Sequence, residues 1–295
     1  MNLDPRHPRI PLGEWVDTFL DWFQVHFDWF LAFTSAIFNT IYDALYAVLS
    51  SPVFWVMIVV FAAIAWLVSG WKMAVFAVIG FFLIRAFDQW DNAMSTLSLV
   101  IVAVFFALLA AIPLGILAAK SEGFSKVIKP ILDFMQSMPA LAYLVPAIVM
   151  FSVGIVPGAI ATVIFSLPPG VRLTELGIRQ VDTEVVEAGQ AFGATGRHIL
   201  GRIQLPLALP TIMAGVNQVI MLALSMVVLA GMAGAGGLGG AVVGAISSLN
   251  VALGVEAGVA VVIIAVYLDR VTAVFGKHRS PRRSLFRRTK VAAAA

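Results

Sequence analysis

Seven runs of mostly apolar residues recur along this chain, each close to the length that a helix needs to cross a bilayer. Because 61% of the 295 residues are hydrophobic and only 12% are charged, one soluble core could not bury so much apolar surface. The sequence therefore predicts an all-α integral membrane protein with about seven transmembrane helices. The predicted spans are 53–69, 73–87, 96–119, 131–153, 156–176, 207–231 and 255–275.

The first 50 residues differ from these runs because polar and aromatic side chains share the same helix. Residues 14–30 place acidic and amide side chains three and four positions apart, with aromatic rings on the other face. Such rings favour the headgroup boundary, so we expect an amphipathic interfacial helix; packing against the bundle is the alternative. Residues 31–50 contain several polar side chains and are also placed at the interface.

Basic residues are unevenly distributed between the connecting segments. If 120–130, 177–206 and the tail after 276 are cytoplasmic, 16 of the 19 Lys and Arg residues lie inside. This bias predicts an N-out, C-in orientation. The chain then divides into an N-terminal amphipathic region at 1–50, an accessory transmembrane hairpin at 51–94, a core transmembrane domain at 95–276 and a basic cytoplasmic tail at 277–295.

Ionisable residues near the spans are few, and they suggest no catalytic or metal site. There is no cysteine, and the four histidines are scattered. The charged groups Asp133, Arg172, Glu175, Glu256, Asp269 and Arg270 lie near predicted span ends, where snorkelling suffices, and Arg172 and Glu175 are expected to pair. An enzyme needs convergent acids, bases or ligands, and an ion-coupled carrier needs polar residues at the midplane. Both classes, and an osmotically gated channel, remain as weaker alternatives.

The loop at 182–210 is the most informative segment. It is polar enough to leave the membrane, yet its apolar residues recur at helical spacing. Gly193 and Gly196 predict two short helices joined by a glycine turn, and Pro206 is expected to end the loop. We interpret this loop as a docking surface for a partner. The predicted apolar face comprises Val185, Val186, Ala188, Phe192, Ile199, Leu200 and Ile203.

This loop resembles the EAA loop of ABC importer permeases, whose spacing the segment 182–206 matches without insertion. Gly189 departs from the motif, which has alanine there. The resemblance implies a type I ABC importer permease fold, whose loop docks into a separate ATPase subunit. ATP and Mg would be bound by that subunit, with no cofactor or metal on this chain. The coupling residues implied are Glu187, Ala188, Gly189, Gly193, Ile203, Leu205 and Pro206.

The stretches 131–151, 163–181 and 223–239 are similar to glycine betaine and proline betaine permeases, as is the aromatic N-terminal helix. The resemblance implies a multi-pass subunit of the bacterial inner membrane, catalytically silent itself, which imports betaine-type osmoprotectants. Its implied partners are two ATPase subunits, a second permease that we expect to be identical, an extracytoplasmic binding protein and membrane lipid, without nucleic acid. Permeases for choline, carnitine, methionine or another small amine or amino acid are the alternative.

Prolines, methionines and a glycine run in these stretches suggest a gated pathway. Proline frees a carbonyl and permits kinks, and methionine is a flexible filler. The run 231–240 lacks the features of phosphate-binding loops, so it indicates close helix approach or a mobile turn near the outer gate. The candidate gate and pathway residues are Met135, Met138, Pro139, Tyr143, Pro168, Pro169, Met226, Gly236, Gly237 and Gly239.

Overall fold

A computed structural model describes residues 11–274, and these residues form helices joined by short turns. The basic tail 277–295 lies outside the described residues. The helices are α1 Leu12–His26, α2 Asp28–Ser50, α3 Phe54–Ser69, α4 Trp71–Ala86, α5 Trp90–Lys120, α6 Glu122–Ser137, α7 Leu141–Phe151, α8 Ile155–Arg179, α9 Thr183–Ala191, α10 Gly196–Ile199, the π-helical turn Leu200–Gln204, α11 Leu205–Met232, α12 Gly237–Ser248 and α13 Val251–Ala273.

The all-α fold is confirmed, but the number of spans differs from the prediction. Within residues 11–274, five helices are long and apolar enough to cross a membrane: α2, α5, α8, α11 and α13 (with α10 and the π-helical turn continuous before α11). Helices α3 and α4, of 16 residues each, pack against each other, and their role as an accessory transmembrane hairpin stays a prediction. The N-out, C-in orientation stays a prediction.

The N-terminal region contains two helices where one amphipathic helix was expected. The helix predicted over residues 14–30 ends at His26, because Phe27 leaves helical geometry, and α2 begins at Asp28. No residue of α1 is buried. Residues 31–50, predicted to be interfacial, belong to α2, which is long enough to cross. It packs against α5, where Tyr42 bonds Ser95 at 2.8 Å, while its polar residues Asn39, Thr40 and Asp43 are exposed.

Helices α5, α8 and α11 form the centre of the fold, where small residues permit close packing. A Cβ atom on Gly115 of α5 would lie 2.5 Å from Cβ of Thr174 on α8. Only glycine therefore fits at this crossing. Outside this centre, α4 and α13 pack beside α3 and α5, with Phe61, Phe81 and Tyr267 in one aromatic cluster.

The span predicted at 131–153 is broken. Helices α6 and α7 meet at an angle of 97°, with the break at Met138–Ala140. Pro139 lies in this break, and its missing N–H and fixed φ explain why the helix does not continue. The pair forms either a broken span or a re-entrant loop.

Candidate functional site

The predicted docking loop folds as two short helices joined by a glycine turn, as its sequence indicated. At the start of α9, the Asp182 side chain accepts a hydrogen bond from the Glu184 N–H at 2.9 Å, which caps the helix. At its end, Gly193 adopts a φ of +77°, a conformation that glycine accepts readily. The Ala194 N–H bonds the Gly189 carbonyl at 3.1 Å and closes the turn.

Helix α9 rests on the segment that leads into α11. A Cβ atom on Gly189 would lie 2.7 Å from Cδ1 of Ile203, in the π-helical turn. Gly189, which departs from the motif, is therefore the residue against which the motif isoleucine Ile203 packs. Pro206 does not end the loop, because the π-helical turn continues directly into α11 with proline in its first turn. Because the helix is continuous there, Pro206 has no N–H to donate to the preceding turn and leaves one carbonyl of that turn without a helical donor.

Within the described residues, no other part of the chain covers the outer surface of α9. None of its nine residues is buried, and Glu187 and Ala188 are exposed. Phe192, at the tip of the loop, is 92% exposed. The single apolar face predicted for this loop is wrong, since Ile199 is buried while Phe192 points outward. A large aromatic ring that is exposed in this way is typical of an interaction surface.

The inner side of α9 borders a cleft of about 290 Å³. Glu187, Gln190 and Gln204 line it from the loop, and Arg179 lines it from the end of α8. The lining also includes the apolar Ile178, Val181 and Val186, so it is mixed in character. Beside the cleft, Ile178 and Val181 pack with Leu200 and Leu205, which joins the end of α8 to the segment that leads into α11.

A group of charged side chains connects α6 with α8 beside this cleft. Glu175, only 3% exposed, accepts from Ser125 Oγ at 2.7 Å, Arg179 Nε at 2.9 Å and Lys129 Nζ at 3.2 Å. The predicted pair between Arg172 and Glu175 is wrong. Arg172 instead pairs with Asp133 of α6. Glu175 is also covered by protein, so snorkelling to the headgroups does not account for it.

The bend between α6 and α7 brings four candidate gate residues into one stretch. Met135 and Met138 precede the break, Pro139 lies within it and Tyr143 follows it. The Tyr143 hydroxyl donates to the Met135 carbonyl, which lies in the last turn of α6 and has no helical donor. This bond closes the bend across the two helices.

A second group surrounds Met226 of α11, which is fully buried. It packs with residues of α7 and α8, and Tyr143 and Phe165 lie at the edge of this cluster. The two rings have centroids 6.4 Å apart. Pro168 and Pro169 are buried within α8, and no unwound turn interrupts that helix.

The glycine run forms a tight turn between α11 and α12. A Cβ atom on Gly231 would lie 2.3 Å from the carbonyl carbon of Gly239, so the two helix backbones touch. Gly236 and Gly237 adopt positive φ in the turn. This geometry confirms the close helix approach that the sequence indicated.

Three residues that were not among the predicted site residues also connect the helices around the glycine turn and the bent helix pair. Thr96 of α5 accepts from the Leu238 N–H at 2.8 Å, at the start of α12. Gln24 of α1 donates to the Val149 carbonyl near the end of α7. Lys129 joins α6 to Glu175. The spacing of four between Ser125, Lys129 and Asp133 was the one local signal for a polar face on α6.

Within residues 11–274, no three His, Asp or Glu side chains are grouped so that they could hold a metal ion. The described residues thus present an exposed loop, a cleft beside it and a bent helix pair.

Curated relatives cover nearly the whole chain. The chain is 46% identical over 271 residues to the glycine betaine transport system permease protein OpuAB of Bacillus subtilis, covering 90% of this chain and 95% of that protein. It is 45% identical over 281 residues to the glycine betaine/proline betaine transport system permease protein ProW of Escherichia coli, covering 95% of this chain and 79% of that protein.

The fold has a known counterpart. A crystal structure of the inward-facing MetNI methionine ABC transporter matches with a TM-score of 0.56 at 23% identity, over 63% of this chain and 95% of that chain. Residues 111–284 match the family described as the inner membrane component of binding-protein-dependent transport systems. With relatives of such identity and coverage beside the family match, the chain belongs to the binding-protein-dependent transport system inner membrane components, a family of membrane-embedded transport subunits and not of enzymes.

Proposed function

We propose that this chain is the translocation subunit of an ATP-driven importer for glycine betaine and related compatible solutes. The observation that carries the proposal is the exposed helix α9, which has no buried residue and ends beside the exposed ring of Phe192. A surface of this kind favours a partner protein, and membership of the binding-protein-dependent transport family favours an ATPase as that partner.

The partner is an ATPase subunit, present in two copies in the complete complex. Glu187, Ala188 and Phe192 are exposed on the loop and would contact it, while Gly189 and Ile203 hold α9 on the π-helical turn. Gly193 shapes the turn between α9 and α10, and Leu205 and Pro206 begin α11. ATP and Mg are bound by that ATPase and not by this chain.

The pathway lies where the long helices are interrupted. Movement at the α6–α7 break, around Met138 and Pro139, changes the position of Tyr143 relative to Met226. The turn at Gly236–Gly239 is the second movable element and is held on α5. Residues 95–276 form the transport core, 51–94 an accessory hairpin, and a second copy of this chain completes the pathway between two permeases. An extracytoplasmic binding protein delivers the substrate.

The substrate class follows from the relatives, whose names specify glycine betaine and proline betaine. Quaternary ammonium groups are attracted to the faces of aromatic rings. Tyr143 and Phe165, at the edge of the Met226 cluster, offer such rings beside the proposed gate. Carnitine or choline has the same ammonium group and would compete in proportion to its fit with the binding protein.

The test is uptake of labelled glycine betaine into vesicles that contain this chain, its ATPase and its binding protein. We expect uptake to require ATP and to be abolished by Glu187→Lys, which reverses a charge on the exposed loop. The control is Glu122→Lys, a charge reversal at an exposed position of α6, which should leave uptake unchanged. Uptake that proceeds without the ATPase would instead indicate an ion-coupled carrier.

A further inference from the structure

Helix α6 is attached to the protein by one apolar seam and by a row of polar side chains. Of its 16 residues only Ser125 and Leu132 are buried, whereas Val127, Ile131 and Phe134 are each about half exposed or more. Helices α5 and α8, by contrast, meet in close backbone contact. The apolar contact of α6 is confined to one seam, in which Leu132, Ile128 and Met135 pack against α5 and α8. Polar contacts beside this seam add to the forces that fix its position.

Those contacts come from three residues of α6 that lie one turn apart: Ser125, Lys129 and Asp133. Ser125 and Lys129 both reach the same oxygen of Glu175, and Asp133 pairs with Arg172 one turn away on α8. We call the group Ser125, Lys129, Asp133, Arg172, Glu175 and Arg179 the α6–α8 charge ladder. Its centre is Glu175, the only one of these charged residues that is almost completely covered.

The ladder also reaches α5 and the coupling loop. Arg179 Nη2 donates to the Ala118 carbonyl in the last turn of α5 at 2.8 Å, while its Nε contacts Glu175. The same guanidinium lines the cleft beside Glu187 of α9. Only residues 180–182 separate the end of α8 from the start of α9. Arg179 thus contacts the buried carboxylate and the end of α5, and it lines the cleft next to α9.

We propose that Glu175 is a positioning residue that makes α6 follow the coupling helix. When α9 moves, the end of α8 moves with it, and the charge ladder carries α6 along, together with the bend that positions Tyr143. This inference rests on the proposed function, since it assigns a path between the ATPase-facing loop and the gate. A buried carboxylate suits this role because its attraction to Lys129 and Arg179 is screened less than at an exposed surface.

The first experiment measures coupling. In the reconstituted complex, Glu175→Gln keeps an oxygen for Ser125 but loses the charge that Lys129 and Arg179 require. We expect ATP hydrolysis to continue while solute transported per ATP falls by about threefold to tenfold, within the range that coupling mutations produce. The matched control is Asp88→Asn, which removes the carboxylate of an exposed ion pair with Arg85 and should leave this ratio unchanged. An unchanged ratio in Glu175→Gln would overturn the proposal, even if thermal stability decreased.

The second experiment measures position and does not depend on transport. Because the chain has no cysteine, spin labels can be placed at Val127→Cys on α6 and Val185→Cys on α9 without background. Both sites are exposed. We expect one narrow distance distribution in the parent and a clearly broader one with Glu175→Gln. Equal distributions would contradict the proposal.

A milder variant covers the case in which Glu175→Gln fails to fold. Lys129→Gln removes the positive charge of a half-exposed side chain that pairs with Glu175, and we expect the same broadening to a smaller extent. If betaine uptake is absent in the parent complex, the proposed function fails. The distance measurement then still decides whether Glu175 holds α6 to α9.

Discussion

Gly189 and Ile203 are in such close contact that a side chain on residue 189 would meet the tip of the isoleucine, with Cβ 2.7 Å from Cδ1. Positions 189, in α9, and 203, in the π-helical turn, both belong to the sequence motif that defines the loop, although the motif has alanine at 189. Their contact explains why the two halves of that motif, 14 positions apart, belong to one surface. The orientation of α9 depends on how closely these residues approach.

Replacing Gly189 by a larger residue tests this contact. Gly189→Ala gains roughly 1 kcal/mol of helix propensity, and Ile203 can move its terminal methyl aside at little cost. We therefore expect nearly normal uptake. Gly189→Leu overfills the contact, with a cost of about 1–3 kcal/mol, and should tilt α9 and reduce ATP-driven uptake. Vesicle uptake of both variants, normalised to inserted protein, gives the comparison. Normal uptake by Gly189→Leu would show that the function of α9 does not depend on its contact with Ile203.

The α11–α12 contact gives a second prediction. In Gly231→Ala the added methyl group meets the backbone of Gly239, which cannot move without displacing α12. We expect destabilisation of about 1–3 kcal/mol, seen as a lower midpoint of thermal unfolding in detergent, together with reduced uptake. Gly240→Ala is the matched control, because a Cβ there meets no atom within 4 Å. Equal midpoints for the two variants would argue against close packing at Gly231.

Local sequence was sufficient to predict the helical fold and the docking loop. Apolar runs of helical length marked the long helices, and Gly193 marked the turn in which it lies at positive φ. These features depend on neighbours in sequence. The exposure of Phe192 was not predictable, because periodicity gives the residues that share a helix face but not the surface against which that face packs.

The ion pairs and the effect of each proline depend on tertiary structure. Arg172 lies three positions from Glu175 and Arg179 four positions, so spacing alone allowed either pair. The choice depends on α6, which supplies Asp133 to Arg172 and Lys129 to Glu175. Likewise, Pro139 ends α6 whereas Pro168 lies within an unbroken helix. Proline removes a hydrogen bond in both cases, and packing around the buried α8 retains its helical path.

Thr96 provides a third prediction, at the start of α12. Its hydroxyl oxygen accepts from the Leu238 N–H, and both residues are buried. Thr96→Val keeps the shape but leaves that N–H without a partner, which costs about 1–3 kcal/mol. We expect a lower unfolding midpoint and impaired uptake, with both restored by Thr96→Ser, which retains the oxygen. If valine and serine behave alike, the hydrogen bond does not position the turn.

Gln24 attaches the N-terminal helix to the bent pair. Its side-chain amide donates to the Val149 carbonyl, in the last turn of α7, where carbonyls lack helical donors. Since α1 has no buried residue, this bond is a large part of its attachment to α7. We expect Gln24→Ala to accelerate hydrogen exchange in the α1 backbone, while the global unfolding free energy changes by no more than about 0.5–1.5 kcal/mol.

Thr18→Ala is the matched control for this attachment. The Thr18 hydroxyl donates to the Glu14 carbonyl at 2.7 Å, so the bond lies entirely within α1 and does not involve α7. Loss of a bond inside α1 should affect exchange only around Glu14, because the contact with α7 remains. Faster exchange throughout α1 in Gln24→Ala, but not in Thr18→Ala, therefore identifies the contact with Val149 as the anchor. The same exchange pattern in both variants would mean that α1 is held by α2 alone.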